Sequence, residues 1–552
     1  MTNREFITLQ LGNFSNHVGT HWWNTQQALS SFSEFNQQNA DELGNSGEET
    51  NKNDEKICHD VMWRSGENHK REVTYTPRAI MLDEKQNLGT MAQTGGALYD
   101  QNVESFEISG RDLGSFMENF SSQLEVSAWE GDTQIQQNGE VPQLSNAQIA
   151  LNAGAPNLQE LEDPKWADYS QNYYHPRSIL IPTAELNSVN SIVVKQHKDE
   201  EETACLSFNN WLLAKSLWAT TSFRDEMEDR IRLYSEECDW LDGFKFLADS
   251  PQIGSGFGYL APMISSFLDD DYHKKTQLHF ILQRASVMKD IADTEWNCMK
   301  SEAFYSGFLG QALMLYDLSN SSSSCDAVTP LTSMSNSMKP ANFSGEFDSE
   351  RSEYHDASML ACYLENISTP WRTANHQKRM RAGDITRMLT GSRRRMFLDT
   401  KMAFRDDQVA ENFASLSGQN IKQVMSEDSY ASLPVCRGAV SEGYYSNIEK
   451  LSFDPKLNHF FPRFLKAKNK SSRHKPDRYS ETVFTDWCST ASAGKKVRET
   501  FNKAKAIPGG ILAGLSIKYD LEIDEIKESF YGFDDVLDDY EFDDDKDDSD
   551  DY

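Results

Sequence analysis

Apolar and polar positions divide the chain into short strands, helices and long polar intervals. A β-rich run at Phe6-Ile-Thr-Leu9 enters a turn at Gly12 and Asn13, and a helix-like stretch carrying Trp22 and Trp23 follows. Residues 74–82 predict a second strand, ending in Asp83 and a turn over 84–90. Residues 178–182 and 191–194 are further short apolar runs. Met227, Ile231 and Tyr234 recur at helical spacing and predict a helix over 223–239, with a strand at 244–248 after it. Ile253-Gly-Ser-Gly-Phe-Gly258 then leads into another apolar helix. Strand, glycine turn and helix thus occur twice, which predicts an α/β fold.

Between these elements lie intervals too polar to form a core. Residues 24–56 and 132–165 read as solvated insertions, and 317–352 reads as a Ser/Asn-rich linker or loop. These divisions predict a nucleotide-binding-type domain over 1–316, an α+β domain over 353–519 and a disordered acidic tail over 520–552.

Charge sharpens this picture. Of a formal net charge of −32 over 552 residues, residues 520–552 supply 17 acids against two lysines, and the remainder is still acidic. That balance excludes a general nucleic-acid binder, which needs a basic face for phosphates. The eight cysteines are scattered with no CxxC pair, which favours reduced thiols over a disulfide framework or zinc site. The first thirty residues have neither the apolar core of a signal peptide nor the arginine bias of a transit peptide. The best apolar runs, 256–268 and 506–517, fall short of the ~20 residues that span a bilayer, so membrane contact is expected to be peripheral.

The candidate chemistry sits in the two glycine turns. Backbone N–H groups at a Gly-rich turn and a helix N-terminus suit a phosphate, although the same arrangement opens many α/β domains that bind none. His17 and His21 read as polar helix positions rather than metal ligands, Trp22 and Trp23 as core, and His175 as structural. No Ser/His/Asp or Cys/His set assembles. Two basic stretches, 376–381 with 393–395 and 463–478, read as solvated faces, with an acidic partner as the alternative.

Four segments together resemble the tubulin superfamily. Gln10-Leu-Gly-Asn-Phe-Ser-Asn-His-Val-Gly-Thr-His-Trp-Trp23 is similar to the tubulin opening QxGQCGNQIGxxFW. Tyr75-Thr-Pro-Arg-Ala-Ile-Met-Leu-Asp83 with Gly89-Thr-Met91 is similar to VPRAIxVDLEPGTM. Asp229-Arg-Ile-Arg232 through Gly254-Ser-Gly-Phe-Gly258 is similar to DRIRKLxxxCxxLQGF and the GGGTGSG loop. Residues 295–305 are similar to ETYCIDNEALYD. Gly-Thr-His-Trp-Trp-Asn24, the long insertions and His175-Pro-Arg-Ser178 resemble Misato, a divergent tubulin-like family.

The resemblance implies a tubulin-like Rossmann-type domain, with GTP or GDP and Mg²⁺ held, where retained, by Gly12, Asn13, Asp83, Gly254, Ser255 and Gly256. Several departures weaken that cradle. The three leading glycines of the loop are replaced by a stretch containing Pro251 and Ile253, Pro251 removes a donor N–H, and Ser301 stands where tubulins place an Asn on the guanine. No GxxNxDxxE motif follows residue 310, so the acids that orient water for hydrolysis are missing. The expectation is a protein without catalytic residues, with slow GTPase activity as the alternative. The Misato resemblance further implies a role in mitochondrial distribution and morphology, and in microtubule or spindle assembly. Its expected partners are tubulin, cytosolic chaperonin and prefoldin, and its expected sites are the cytoplasm and the outer mitochondrial surface.

Overall fold

The computed structural model describes residues 4–42, 57–67, 73–88, 165–186 (except 171, 173, 183 and 184), 211–284 (except 254 and 255), 302–320, 325–333 and 353–406 (except 375–378 and 392–394). It also describes 409–415, 429–437, 452–453, 482–538 (except 520 and 521) and 540. In chain order the first unit runs β1 (Glu5–Leu11), α1 (Asn13–Glu42), β2 (Trp63–Glu67), β3 (Val73–Pro77), β4 (Ala79–Leu82), β5 (Ile179–Leu180), α2 (Leu212–Ala219), α3 (Thr221–Glu236) and β6 (Leu241–Asp249). It continues with α4 (Leu260–Tyr272), β7 (Thr276–Gln283), α5 (Glu302–Asn320), β8 (Cys325–Thr332), α6 (Glu353–Arg372) and α7 (Ala382–Thr390). Then come β9 (Asp399–Asp406), β10 (Val409–Ser415), β11 (Ser429–Arg437), β12 (Ser452–Phe453), β13 (Thr482–Thr490), α8 (Ala491–Lys505), α9 (Gly509–Tyr519) and α10 (Ile523–Asp538).

A six-stranded sheet in the order β5-β4-β1-β6-β7-β8 forms the centre, and every pair in it is parallel. Such a sheet is covered on both faces, and period-two alternation sorts its side chains. On β1, Ile7, Leu9 and Leu11 enter the core formed with α2–α5, α8 and α10. Phe6 faces the opposite core, which holds Val18, Trp22 and Trp23 of α1, α6, and Trp487 of β13. The second sheet, in the order β10-β9-β13-β11-β12, is antiparallel except where β12 joins β11. It shares this second core with α1 and α6, and α6 packs along α1. The α/β class with a parallel sheet therefore stands, and Trp22 and Trp23 are fully buried as expected.

Three expected boundaries move. Residues 24–56 are not a solvated loop throughout, because α1 continues to Glu42. Its polar side chains find buried partners: Asn24 Nδ2 donates to the Tyr169 carbonyl at 2.9 Å, and Gln26 bonds Glu365 and Arg372. Residues 317–352 are not a linker throughout, since β8 pairs in parallel with β7 and buries Ala327, Val328 and Leu331. The acidic segment after 520 is not disordered throughout either. In α10, Ile526, Phe530, Phe533 and Leu537 are buried at helical spacing against α5 and α8, and Tyr540 is buried just beyond. Asp524 and Asp538 of the same helix are exposed, so high charge and a buried stripe coexist.

Residues 191–194, the segments 43–56 and 132–164, and the basic stretch 463–478 lie outside the described residues. Among the described residues, Cys58, Cys238, Cys362 and Cys488 are not joined in disulfides, and no helix is long and apolar enough to cross a membrane.

Candidate functional site

The two glycine turns meet at the carboxyl ends of β1, β4 and β6, where α1 begins. Open α/β sheets place ligand sites at such edges. Gly12 makes the turn from β1 into α1 with φ of 113°, a conformation that side chains disfavour, and its N–H donates to the Leu82 carbonyl at 3.1 Å. Asn13 starts the helix and donates its amide to Glu353 of α6. Gly256 adopts ordinary helical angles before the Phe257–Tyr259 turn, and its carbonyl accepts from Tyr259 N at 3.2 Å. Gly254, Ser255, Gly89 and Ser301 lie outside the described residues.

Asp83, at the end of β4, is buried and bonded on both oxygens. Oδ1 accepts from Glu84 N at 2.8 Å and Asn87 Nδ2 at 2.7 Å. Oδ2 accepts from Asn16 Nδ2 and from the Trp166 indole, each at 2.9 Å. Burial pushes its carboxyl up to about 6, and these hydrogen bonds oppose the rise. The network continues inward, because Gln10 Nε2 donates to Asn16 Oδ1 at 3.0 Å and Trp23 Nε1 to Gln10 Oε1 at 2.8 Å. Gln10 lies where a side chain at Gly19 would have to go: a Cβ there would be 2.3 Å from Gln10 Nε2.

The first turn of α1 has a ligand of its own. Asp249, the last residue of β6, accepts from Phe14 N at 3.1 Å through Oδ2 and from Ser15 N at 2.6 Å through Oδ1. Burial drives this carboxyl well above its usual range, the two N–H donors pull it back, and Asp83 and Glu353 raise it further. Ser15 Oγ turns inward to the Gly12 carbonyl at 2.7 Å. The turn after β6 also uses its donors internally: Gln252 N bonds Ser250 Oγ at 3.2 Å, Ile253 N bonds Ser250 O at 3.0 Å, and Pro251 has none to offer.

A charged clamp closes the rim. Arg284 holds Glu353 at 2.7 Å and Asp356 at 3.3 Å, and His17 Nε2 lies 3.4 Å from Glu353. Burial raises the Glu353 carboxyl, but His17, Arg284 and Asn13 outweigh it and hold it below its usual range. His17 and His21 are buried, and His21 Nε2 lies 2.6 Å from the Tyr354 carbonyl. His175 is also structural: its Nδ1 accepts from Arg177 N at 3.2 Å within the Pro176–Ser178 turn.

Asp83, Asp249 and Glu353 therefore bracket the position where a nucleotide phosphate would lie, and among the described residues the N–H groups of Gly12, Phe14, Ser15, Gln252 and Ile253 are engaged. The described residues do not fit a phosphate cradle. Among the described residues, no cluster of three or more His, Cys, Asp or Glu could hold a metal ion. Asp249, Trp166, Glu353 and Arg284 had no local sequence signal, since their partners stand 69 to 340 positions away. The place of Asp249 directly before the glycine turn was the one available hint.

Comparison with known proteins agrees with this tubulin-like frame. Residues 4–152 match the Misato Segment II tubulin-like domain, and residues 155–373 match the Tubulin domain. The chain belongs to the Misato family. Among Misato relatives, it is 26% identical to Protein misato homolog 1 of Mus musculus over 389 residues, which is 67% of this chain and 59% of that protein. It is 31% identical to Protein misato of Drosophila melanogaster over 289 residues, 49% of this chain and 43% of that protein. It is 29% identical to Protein dml1 of Aspergillus niger over 276 residues, 49% of this chain and 46% of that protein. The chain thus spans about half the length of these Misato relatives. Asp83 and Asp249 fall in the two matched domains respectively, so the site is assembled across both matched regions.

Proposed function

We propose that this chain is a non-enzymatic, tubulin-like regulator of mitochondrial distribution and morphology. In this reading it also serves microtubule or spindle assembly, through tubulin, cytosolic chaperonin or prefoldin. It works in the cytoplasm and peripherally at the outer mitochondrial surface. The observation that carries the reading is membership of the Misato family, by the match of residues 4–152 to the Misato segment. The non-enzymatic part is supported by the turn over residues 250–253, whose donors serve the turn itself. Function then resides in surfaces rather than in a reacting centre.

A second reading, a GTP-binding protein with slow turnover, draws on the retained Gly12 turn and its positive φ. Two experiments separate them. Removal of the gene from its host, followed by imaging of mitochondria and spindles, is expected to give clustered or misshapen mitochondria that the wild-type chain restores; normal mitochondria would defeat the leading reading. Purified protein, denatured and run on anion exchange, is expected to release no guanine nucleotide and to turn over no added GTP. Steady GTP hydrolysis would favour the second reading.

A further inference from the structure

We propose that the Asp249 carboxyl is the chain's own occupant of the α1 N-terminus, and that it shuts that position to phosphate. The inference rests on the non-enzymatic reading and supplies a physical cause for it. An anion bound at a helix N-terminus uses the free N–H groups of the first turn and the positive end of the helix dipole. Here both carboxylate oxygens of Asp249 are spent on that task, one on Phe14 N at 3.1 Å and one on Ser15 N at 2.6 Å. A phosphate oxygen would have to displace them.

The carboxylate is also fixed from behind. Asp249 is 1% exposed, and its backbone lies directly under the following turn: a Cβ at Gly258 would sit 1.7 Å from the Asp249 carbonyl oxygen. Close approach at Gly258 holds the backbone at the end of β6 against the Phe257–Tyr259 turn, so the point from which the carboxyl reaches α1 is fixed. Charge acts in the same direction. Asp83 and Glu353 flank Asp249, and Arg284 at this rim is already paired with Glu353 and Asp356. An incoming phosphate would add negative charge beside Asp83 and Glu353, with no spare cation among the described contacts. Asp249 ties α1 to β6 across 235 positions of sequence, so the same contact that excludes an anion fastens the sheet to its first helix.

The test uses the full-length chain as wild type, Asp249→Ala and Asp249→Asn, with pyrophosphate and Mg·GTP as probes. Thermal unfolding and isothermal titration are the readouts. Wild type is expected to show no shift and no heat with either probe. Asp249→Ala is expected to unfold at lower temperature and to regain part of the loss with pyrophosphate, because the anion fills the vacated amides. Its pyrophosphate affinity should exceed wild type by about tenfold or more, the weight of one charge-assisted hydrogen bond. Asp249→Asn keeps one acceptor oxygen without the charge; it should fold with a smaller loss and gain less affinity. If Asp249→Ala does not fold, the Asn variant is judged by the same criterion.

Folded variants that bind pyrophosphate no better than wild type overturn the inference and leave the non-enzymatic reading in place. Wild type that binds Mg·GTP without turnover does the same. Turnover of GTP by wild type defeats both.

Discussion

Trp166 donates its indole N–H to Asp83 Oδ2 at 2.9 Å, joining a short turn to the end of β4 across 83 positions of sequence. Both residues are buried, and the bond ends a polar chain that runs from Trp23 through Gln10 and Asn16. A buried acceptor that loses one of its donors has no water to replace it. Trp166→Phe should therefore lower unfolding stability by about 1–3 kcal/mol in urea melts. A change within 0.3 kcal/mol, on the order of the usual surface substitution, would mean that the bond carries no weight.

The same site predicts a pH dependence. Asp83 is pushed from 3.8 up to about 6 by burial, so between those values the folded chain holds a proton that the unfolded chain releases. Its contribution is full below pH 3.8 and is lost as pH rises towards 6. The stability of Asp83→Asn relative to wild type should then climb by about 3 kcal/mol across that window and stay level above it. His59, lowered to about 4 by burial, acts in the opposite direction but in both proteins, so it cancels in the difference. A flat difference curve from pH 4 to 7 would refute the assignment.

Glu365 and Arg372 of α6 form a fully buried pair at 2.8 Å, supported by Gln26 of α1 and by Ser368. Breaking one partner strands a charge in the core. Glu365→Leu should cost about 3–5 kcal/mol, while Glu365→Leu with Arg372→Met should recover much of that loss. A double-mutant cycle checks this, and purely additive losses would show that the pair is not coupled.

Phe501 of α8 and Phe533 of α10 stack with centroids 3.7 Å apart, and Phe533 is fully buried. Phe533→Ala should cost about 3–5 kcal/mol by loss of burial and the cavity left behind. A chain whose acidic end were unstructured from 520 onward would show no change in its melting curve.

Much of the fold was legible in local pattern. The β-rich run Phe6–Leu9, the stripe Met227, Ile231 and Tyr234, and the glycine turns each announced an element that the structure contains. Composition misled where polar residues were buried by distant partners. Gln26 reads as solvated until Glu365 and Arg372 are beside it, and the aspartates of α10 hide the buried Phe530, Phe533 and Leu537.

By itself the sequence determined the strand–turn–helix order, the tubulin-like motifs and the loss of glycines before Gly254, because these depend on residue type and short-range spacing. Only the tertiary structure decided what the turns hold. Parallel pairing brings the ends of β1, β4 and β6 to one edge, and that places Asp249 on the first turn of α1 and Asp83 under Trp166. Those contacts depend on strand register and on chain closure over scores of residues, and no local pattern encodes either.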